Sequence, residues 1–301
     1  MRTINAMIVG APKAGTTSLL HYLAQHPSLC THSYSEFAFF LNDAAYQKGY
    51  SNAYHKFYGE SLSDTDGMIL AKHVMLMYSE KAVERLYEHN PEAKLIVSLR
   101  HPIERAYSAY WYARRIGWEK SSTFEEAIRV EGSRSLANWE QWRQCAHLYN
   151  SMYVEPLQRL IRVFGRDRLK VILTDDLNAD PAELCQELFV WLGVEPTIAL
   201  DLTRQHNISA KARSERMAQF WAWAMNPQGQ LNRFVKRLVP DTWTYILRSA
   251  VLKLNEKSFV RPPMQSETYH QLKDYFAPHI IELEKLLERD LSKWRSIARE
   301  A

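Results

Sequence analysis

One segment near the start of the chain most constrains its fold: Gly10-Ala11-Pro12-Lys13-Ala14-Gly15-Thr16-Thr17-Ser18. We call residues 10–18 the glycine loop. A hydrophobic run precedes it and a helical pattern follows it. A strand, a tight loop and a helix N-terminus bind phosphate in this order, because backbone N–H groups and the helix dipole point at one position. Gly10 and Gly15 permit the turn and the close approach of an anion. The pattern therefore predicts an anion-binding loop in an α/β protein.

The glycine loop has the glycine spacing of the nucleotide P-loop, but Thr16 stands where that motif has its lysine. Lys13, inside the loop, suits a shorter anion that carries one transferable group and needs no metal. Pro-Lys-x-Gly-Thr-Thr-Ser resembles the 5′-phosphosulfate loop of sulfotransferases that use 3′-phosphoadenosine 5′-phosphosulfate (PAPS). The resemblance implies PAPS as sulfuryl donor, 3′-phosphoadenosine 5′-phosphate (PAP) as product and no metal. It implies donor contacts from Lys13, Ala14, Gly15, Thr16, Thr17 and Ser18.

Composition limits the other classes of function. The 301 residues are 46% hydrophobic and 24% charged, which is ordinary for a soluble globular protein. A net charge of +4 is too mild to indicate nucleic acid, although it suits an anionic cofactor. Cys30, Cys145 and Cys185 are an odd number without metal-ligand spacing, which indicates reduced thiols. Without a signal-peptide or membrane-span pattern, we expect a cytoplasmic, bacterial enzyme that does not insert stably into membranes.

Apolar runs alternate with helical patterns along the chain. The apolar runs predict buried strands at residues 5–9, 28–31, 68–71, 94–99 and 169–173. The helical patterns cover residues 17–25, 79–88, 102–112 and 181–192. This alternation predicts an α/β, P-loop-like three-layer fold with a central, mainly parallel five-stranded sheet flanked by helices. We find no repeat or linker, and expect a single sulfotransferase domain over residues 1–301.

A second diagnostic stretch follows the fourth predicted strand. Arg100 ends that strand, Pro102 opens a helix, and Ser108 lies two turns into it. An arginine supplies a fixed fork of donors to a phosphate, and a serine adds a hydroxyl. The stretch resembles the segment with which the sulfotransferase family binds the 3′-phosphate of PAPS. We therefore expect Arg100 and Ser108 to bind one end of the nucleotide and the glycine loop to bind the other.

Residues 207–214 resemble the family's basic loop that closes over the nucleotide, with Ala212 where the family has glycine. The resemblance assigns Lys211 and Arg213 to cofactor binding, although a plain basic surface loop has the same composition.

Sulfuryl transfer needs a base for the acceptor proton and positive charge at the leaving phosphate oxygen. Lys13 is the candidate for the leaving-group side. Glu36, within Glu-Phe-Ala-Phe-Phe, resembles the base of heparan-sulfate-type and many bacterial sulfotransferases, although Ser35 replaces the usual lysine. His73 is the rival base, by its resemblance to the histidine of cytosolic aryl and steroid sulfotransferases. Lys72 resembles a second family lysine that contacts the sulfuryl group or the acceptor. We favour Glu36 and keep His73 as the alternative.

Residues 214–260 interleave aromatic and basic side chains and predict a helical cap that lines the acceptor pocket. We expect transfer to a hydroxyl or an amine of a small molecule or glycan, in secondary metabolism, by a monomer or homodimer. One alternative is a P-loop-type nucleotide kinase. Thr16 in the position of the P-loop lysine argues against it. Another is a non-catalytic nucleotide-binding or membrane-surface module, which the basic aromatic segment permits.

Overall fold

A computed structural model of the protein describes residues 2–32, 36–59, 67–133, 143, 145–203, 210–224, 250–251 and 254–296. Its main sheet has five strands: β1 (Ala6–Gly10), β2 (Leu29–Thr31), β3 (Met68–Lys72), β4 (Lys94–Leu99) and β5 (Leu169–Leu173). Their order is β2-β3-β1-β4-β5, and every neighbouring pair is parallel. The predicted α/β fold with a parallel five-stranded sheet is confirmed. β1 lies at the centre of the sheet, so the glycine loop at its carboxyl end has a neighbouring strand on each side.

The strands form where the sequence has mainly apolar runs, because both faces of a parallel sheet are covered. β4 and β5 have the predicted bounds. β1 begins and ends one residue later than predicted, since Gly10 still pairs with β4 across an irregularity in the register. All five residues of β1 are buried.

Helices alternate with the strands of the main sheet. They are α1 (Thr16–Leu23), α2 (Asp43–Gln47), α3 (Tyr50–Tyr58), α4 (Glu80–His89), α5 (Pro102–Arg115), α6 (Phe124–Glu131), α7 (Val154–Phe164), α8 (Thr174–Ala179) and α9 (Pro181–Leu192). Beyond them lie α10 (Glu215–Ala224), α11 (Ser266–Leu287) and α12 (Ser292–Ser296). Ser79 is the N-cap of α4 and accepts a hydrogen bond from the Ala82 N–H, which explains why this helix begins there. Gly193, in the left-handed region, ends α9 as predicted.

The chain forms two compact units. The first, residues 1–101, 152–207 and 277–301, contains the main sheet. A hydrophobic cluster joins strands β1, β3, β4 and β5 to helices α1 and α9, through side chains that include Ile8, Leu19, Leu70, Ile96, Ile172 and Phe189. Burial of this cluster fixes α1, and therefore the end of the glycine loop, against the sheet.

The second unit, residues 102–151 and 208–276, contains a buried polar network. Arg105 is fully buried and donates to Ser151 Oγ at 2.7 Å and to the His147 carbonyl. His147 Nε2 lies 2.9 Å from the buried Glu119 carboxylate, and burial lowers the pKa of His147. A two-stranded antiparallel sheet pairs β6 (Ala210–Ala212) with β7 (Glu256–Ser258). Of the predicted cap, 225–249 and 252–253 lie outside the described residues.

His89, the last residue of α4, makes the stability of the protein depend on pH. Its Nε2 accepts a hydrogen bond from the Ile4 N–H at 3.0 Å, and its ring packs 4.2 Å from that of Tyr50. Burial lowers the pKa of His89 to about 4. In the unfolded chain an ordinary histidine has a pKa of about 6.5. Between these two values the unfolded state binds the extra proton, so stability falls as the pH falls through this window and levels off below it.

We therefore expect the free energy of unfolding to decrease by about 1–2 kcal/mol between pH 7 and pH 5 through His89 alone, after allowance for partial exposure of the ring. Urea unfolding at several pH values measures this decrease. His89→Gln keeps an acceptor for the Ile4 N–H but does not titrate, and should flatten the profile. His55→Gln, at an exposed position, is the matched control and should leave it unchanged. An identical slope in wild type and His89→Gln would contradict the assignment.

Candidate functional site

The glycine loop connects the end of β1 to α1. Gly15 is the N-cap of α1, with a φ of 75°, and no side chain caps this helix. The first turn of α1 also contains no acidic residue. The first N–H groups of a helix have no acceptor within the helix, so this end offers uncapped donors to an anion. The loop's geometry suits the anionic group that the sequence predicted.

Close packing beneath the loop requires its two glycines. A Cβ at Gly10 would lie 1.9 Å from Met77 Sδ, and Met77 is fully buried. A Cβ at Gly15 would lie 2.8 Å from Leu177 Cδ2, and the positive φ of Gly15 adds backbone strain to any substitution. The sequence indicated both glycines by their spacing, but not the side chains that exclude larger residues.

Lys13, in the middle of the loop, has a φ of 68°. A non-glycine residue in this region is uncommon and costs on the order of 1 kcal/mol, so the surrounding structure must hold it there. The side chain of Lys13 is half-buried. Ala14 and Thr16 are buried, Ser18 is buried, and Thr17 is exposed. The six residues predicted to contact the donor thus run from the turn into the start of α1, with Lys13 as the cationic member.

Strand β3 brings a buried cation to the same edge of the sheet. Lys72, its last residue, pairs in register with Ile8 of β1 and is 2% exposed. Its Nζ donates to Glu36 Oε1 at 2.8 Å, and the Val74 N–H donates to Glu36 Oε2 at 2.9 Å. Both carboxylate oxygens of Glu36 are therefore held, while 32% of the side chain stays exposed. A fixed, partly accessible carboxylate is suited to accept a proton.

The segment around Glu36 is held by its backbone and by aromatic packing. The Phe37 N–H donates to the Lys72 carbonyl at 2.7 Å, and the Lys72 N–H donates to His32 Nε2 at 3.1 Å. Phe37 and Phe40 are fully buried. Ser35, which stands where the family has lysine, lies outside the described residues.

His73, the rival base, follows Lys72 directly. It is 6% exposed, and its Nδ1 accepts a hydrogen bond from the Met75 N–H at 3.3 Å. Its backbone N–H donates to the Ile8 carbonyl at 2.9 Å, which continues the pairing of β3 with β1. His73 therefore lies beside Lys72 but more deeply buried than Glu36.

Strand β4 brings Arg100 to this edge on the other side of β1. The Arg100 side chain is half-buried, and its carbonyl accepts a hydrogen bond from the Tyr153 hydroxyl at 2.8 Å. Because the carboxyl ends of parallel strands share one edge, Arg100, the glycine loop and Lys72 lie at the ends of three neighbouring strands at that edge. Ser108 lies on α5 in the second unit and is 2% exposed.

Of the predicted basic loop, residues 207–214, the structure describes residues 210–214. Residues 207–209 lie outside the described part of the chain, and Lys211 lies within β6. Arg213 follows β6 and is exposed, and its backbone N–H donates to the Asn255 carbonyl at 2.5 Å.

The C-terminal segment makes hydrogen bonds to residues at the same edge of the main sheet, a role that the sequence did not suggest. Trp294 Nε1 donates to Asp175 Oδ2 at 2.7 Å, and the Trp294 carbonyl lies 2.8 Å from His101 Nε2. Arg289 donates to both oxygens of Asp176, at 2.8 and 2.5 Å. Burial raises the pKa of Asp176, but the hydrogen bonds from Arg289 and from the Leu173 N–H outweigh it and hold this pKa below its usual value. The segment thus ties the chain after β4 to the chain after β5.

The described residues contain neither a metal-binding cluster nor a membrane-spanning helix. No cluster of three or more His, Cys, Asp or Glu side chains there could hold a metal ion. No described helix combines the length and the apolar character needed to cross a bilayer.

The chain is similar to known sulfotransferases in sequence and in fold. It is 28% identical over 293 residues to bifunctional heparan sulfate N-deacetylase/N-sulfotransferase 4 of Mus musculus, covering 94% of this chain and 30% of that protein. It is 27% identical over 291 residues to bifunctional heparan sulfate N-deacetylase/N-sulfotransferase 3 of Homo sapiens, with coverages of 94% and 30%. The chain thus spans under a third of the length of these relatives.

A crystal structure of a sulfotransferase from Alicyclobacillus acidocaldarius shares the fold, with a TM-score of 0.66 at 22% identity, over 98% of this chain and 100% of that one. The sequence model of the Sulfotransferase domain matches residues 4–244 of this chain, which is most of its length. This match covers most of the chain, and the parallel sheet with the glycine loop at the end of β1 agrees with it: the chain belongs to the PAPS-dependent sulfotransferase family.

Proposed function

We propose that this protein transfers the sulfuryl group of PAPS to a hydroxyl or an amine of a small molecule or glycan. The observation that carries the proposal is the clustering at one sheet edge of the glycine loop, Lys72 with Glu36, and Arg100, at the ends of the neighbouring strands β1, β3 and β4. An uncapped helix N-terminus and two lysines suit the anionic end of the donor. When bound, PAPS supplies an activated sulfuryl group on a phosphate leaving group.

Separate groups of residues bind the two ends of PAPS. The N–H groups of the glycine loop, with the hydroxyls of Thr16, Thr17 and Ser18, bind the 5′-phosphosulfate end. Lys13 offsets the negative charge that develops on the leaving phosphate oxygen. Arg100 and Ser108 bind the 3′-phosphate, and Lys211 with Arg213 complete the cofactor site.

Glu36 removes the proton from the acceptor as its oxygen or nitrogen attacks sulfur. The Lys72 ammonium and the Val74 N–H hold this carboxylate in place, and its partial exposure leaves it accessible to an acceptor. His73 remains the alternative base, and its deeper burial favours Glu36. An amine acceptor is included because relatives of this chain are named N-sulfotransferases. We also propose that residues 1–301 form one sulfotransferase domain and that the protein is cytoplasmic, since its three cysteines are all free thiols.

The direct test is turnover of PAPS with pooled metabolites and with oligosaccharides that carry free hydroxyls or free amines. PAP release measures the rate, and mass spectrometry identifies the product by the added sulfuryl group. We expect sulfated product from at least one pool with PAPS, and no phosphorylated product from any pool with ATP and Mg²⁺. Phosphorylated product from ATP and Mg²⁺, without PAPS turnover, would support the kinase alternative instead.

Arg100 offers a sharper test of the donor, because the 3′-phosphate distinguishes PAP from AMP. Arg100→Ala should weaken PAP binding by about 2–5 kcal/mol, since it leaves a phosphate without its partner. AMP lacks that phosphate, so its affinity should change by less than about twofold. Isothermal titration of both nucleotides gives the comparison.

Arg162→Ala, at an exposed position on α7, is the matched control for the loss of one arginine. It should leave both affinities unchanged. Equal losses of PAP and AMP affinity in Arg100→Ala would show that Arg100 does not bind the 3′-phosphate.

A further inference from the structure

Ser98 is a polar residue within the apolar strand β4, and it is fully buried. A buried hydroxyl costs free energy unless it makes a hydrogen bond. Its partner here is the glycine loop: Ser98 Oγ donates to the Ala14 carbonyl at 2.5 Å. The two residues are far apart in the chain, so the contact exists only once β4 has paired with β1.

Ser98 also holds the start of the same turn. Its backbone carbonyl accepts a hydrogen bond from the Ala11 N–H at 2.8 Å. One residue of β4 therefore fixes both ends of the short turn that carries Lys13 in its positive-φ conformation. The carbonyl contact is independent of the side chain, whereas the hydroxyl contact depends on serine.

The hydroxyl contact has a consequence for the next peptide group. The peptide bond between Ala14 and Gly15 is trans, so its C=O and N–H point in opposite directions within one plane. Because the Ala14 carbonyl is directed at Ser98, the Gly15 N–H is directed away from it. Gly15 is the N-cap of α1, where uncapped N–H groups begin.

We propose that Ser98 is a positioning residue for the sulfuryl donor: its hydroxyl holds the Ala14 carbonyl and thereby orients the Gly15 N–H toward the 5′-phosphosulfate. This inference rests on the proposed function. Ser98 itself touches no substrate. Without its hydroxyl the Ala14–Gly15 peptide can rotate, and the anion loses a preorganised donor.

The test compares Ser98→Ala and Ser98→Cys with wild type, and Ser98→Thr as the rescue variant. Cysteine nearly preserves the size of serine but is a weak donor, whereas threonine keeps the hydroxyl. We measure the Kd for PAP by titration, the KM for PAPS and for a working acceptor, and kcat. Thermal melts establish a temperature at which each variant is folded.

We expect Ser98→Ala and Ser98→Cys to raise the PAP Kd and the PAPS KM by about 10–100-fold, the size of one lost hydrogen bond to a charged group. The KM for the acceptor should change by less than about twofold. Ser98→Thr should restore the PAPS KM to near the wild-type value. A role in stability alone would not separate the two KM values in this way.

Ser151→Ala is the matched control, because it also removes a buried serine hydroxyl with hydrogen bonds to the protein. It should lower the melting temperature without raising the PAPS KM. If wild type binds PAP but the Ala and Cys variants bind it equally well, the inference fails while the proposed function stands. If wild type binds no PAP, the proposed function itself fails.

Discussion

Lys13→Ala is expected to abolish turnover, with kcat at least about a thousandfold below wild type. Loss of a preorganised donor at developing charge costs about 10²–10³ in kcat, and loss of a full positive charge should reach or exceed that range. The backbone should tolerate the change, since alanine and lysine meet a similar cost at a φ of 68°. The effect should therefore fall on chemistry more than on folding.

The measurement is kcat with PAPS and a working acceptor, together with the PAP Kd. Lys13→Arg keeps the charge and should retain more activity than Lys13→Ala. Lys48→Ala removes an exposed lysine and should behave as wild type. A kcat within tenfold of wild type in Lys13→Ala would contradict the assignment of Lys13 to the leaving-group side.

Glu36→Gln is expected to lower kcat by about 10²–10⁴-fold, the usual contribution of a positioned general base. Glutamine preserves the shape of the side chain and can still accept from Lys72 Nζ, but it cannot take the acceptor proton. The substitution also breaks a partly buried ion pair and leaves Lys72 in a site that is 2% exposed. Some loss of stability is therefore expected.

A second variant separates these two effects. In Glu36→Gln/Lys72→Met the unpaired buried charge is absent, so the melting temperature should recover toward wild type while kcat stays low. His73→Ala tests the rival base and should retain kcat within about tenfold. Near-wild-type turnover in Glu36→Gln, with a collapse in His73→Ala, would reverse the assignment.

Local patterns were sufficient to predict the five strands of the main sheet. Residues 94–99 and 169–173 are mainly apolar runs, and β4 and β5 have these bounds. The glycine loop was predicted because its spacing and the order of strand, loop and helix lie within one short segment. Ser79 at the start of α4 and Gly193 at the end of α9 were likewise readable as local signals.

Contacts between distant segments were not predictable in this way. Two examples are the hydrogen bond from Ser98 to Ala14 and the one from Trp294 to Asp175. Both depend on which strands become neighbours, and no single segment of the sequence determines the order of the strands. A serine in an apolar strand was the available signal for Ser98. The pairing of β6 with β7 was missed because each strand has only three residues and a long segment of chain separates the two.

The central place of β1 has a consequence for biosynthesis. Its neighbours β3 and β4 follow it in the chain, so the ribosome makes the first strand well before either flanking strand exists. Until β3 emerges, β1 has no strand to pair with, and its second edge stays unpaired until β4 emerges, so this fully buried strand is exposed to aggregation during synthesis. Nascent chains of this protein should therefore depend on holding chaperones for longer than chains whose first strand pairs with the second.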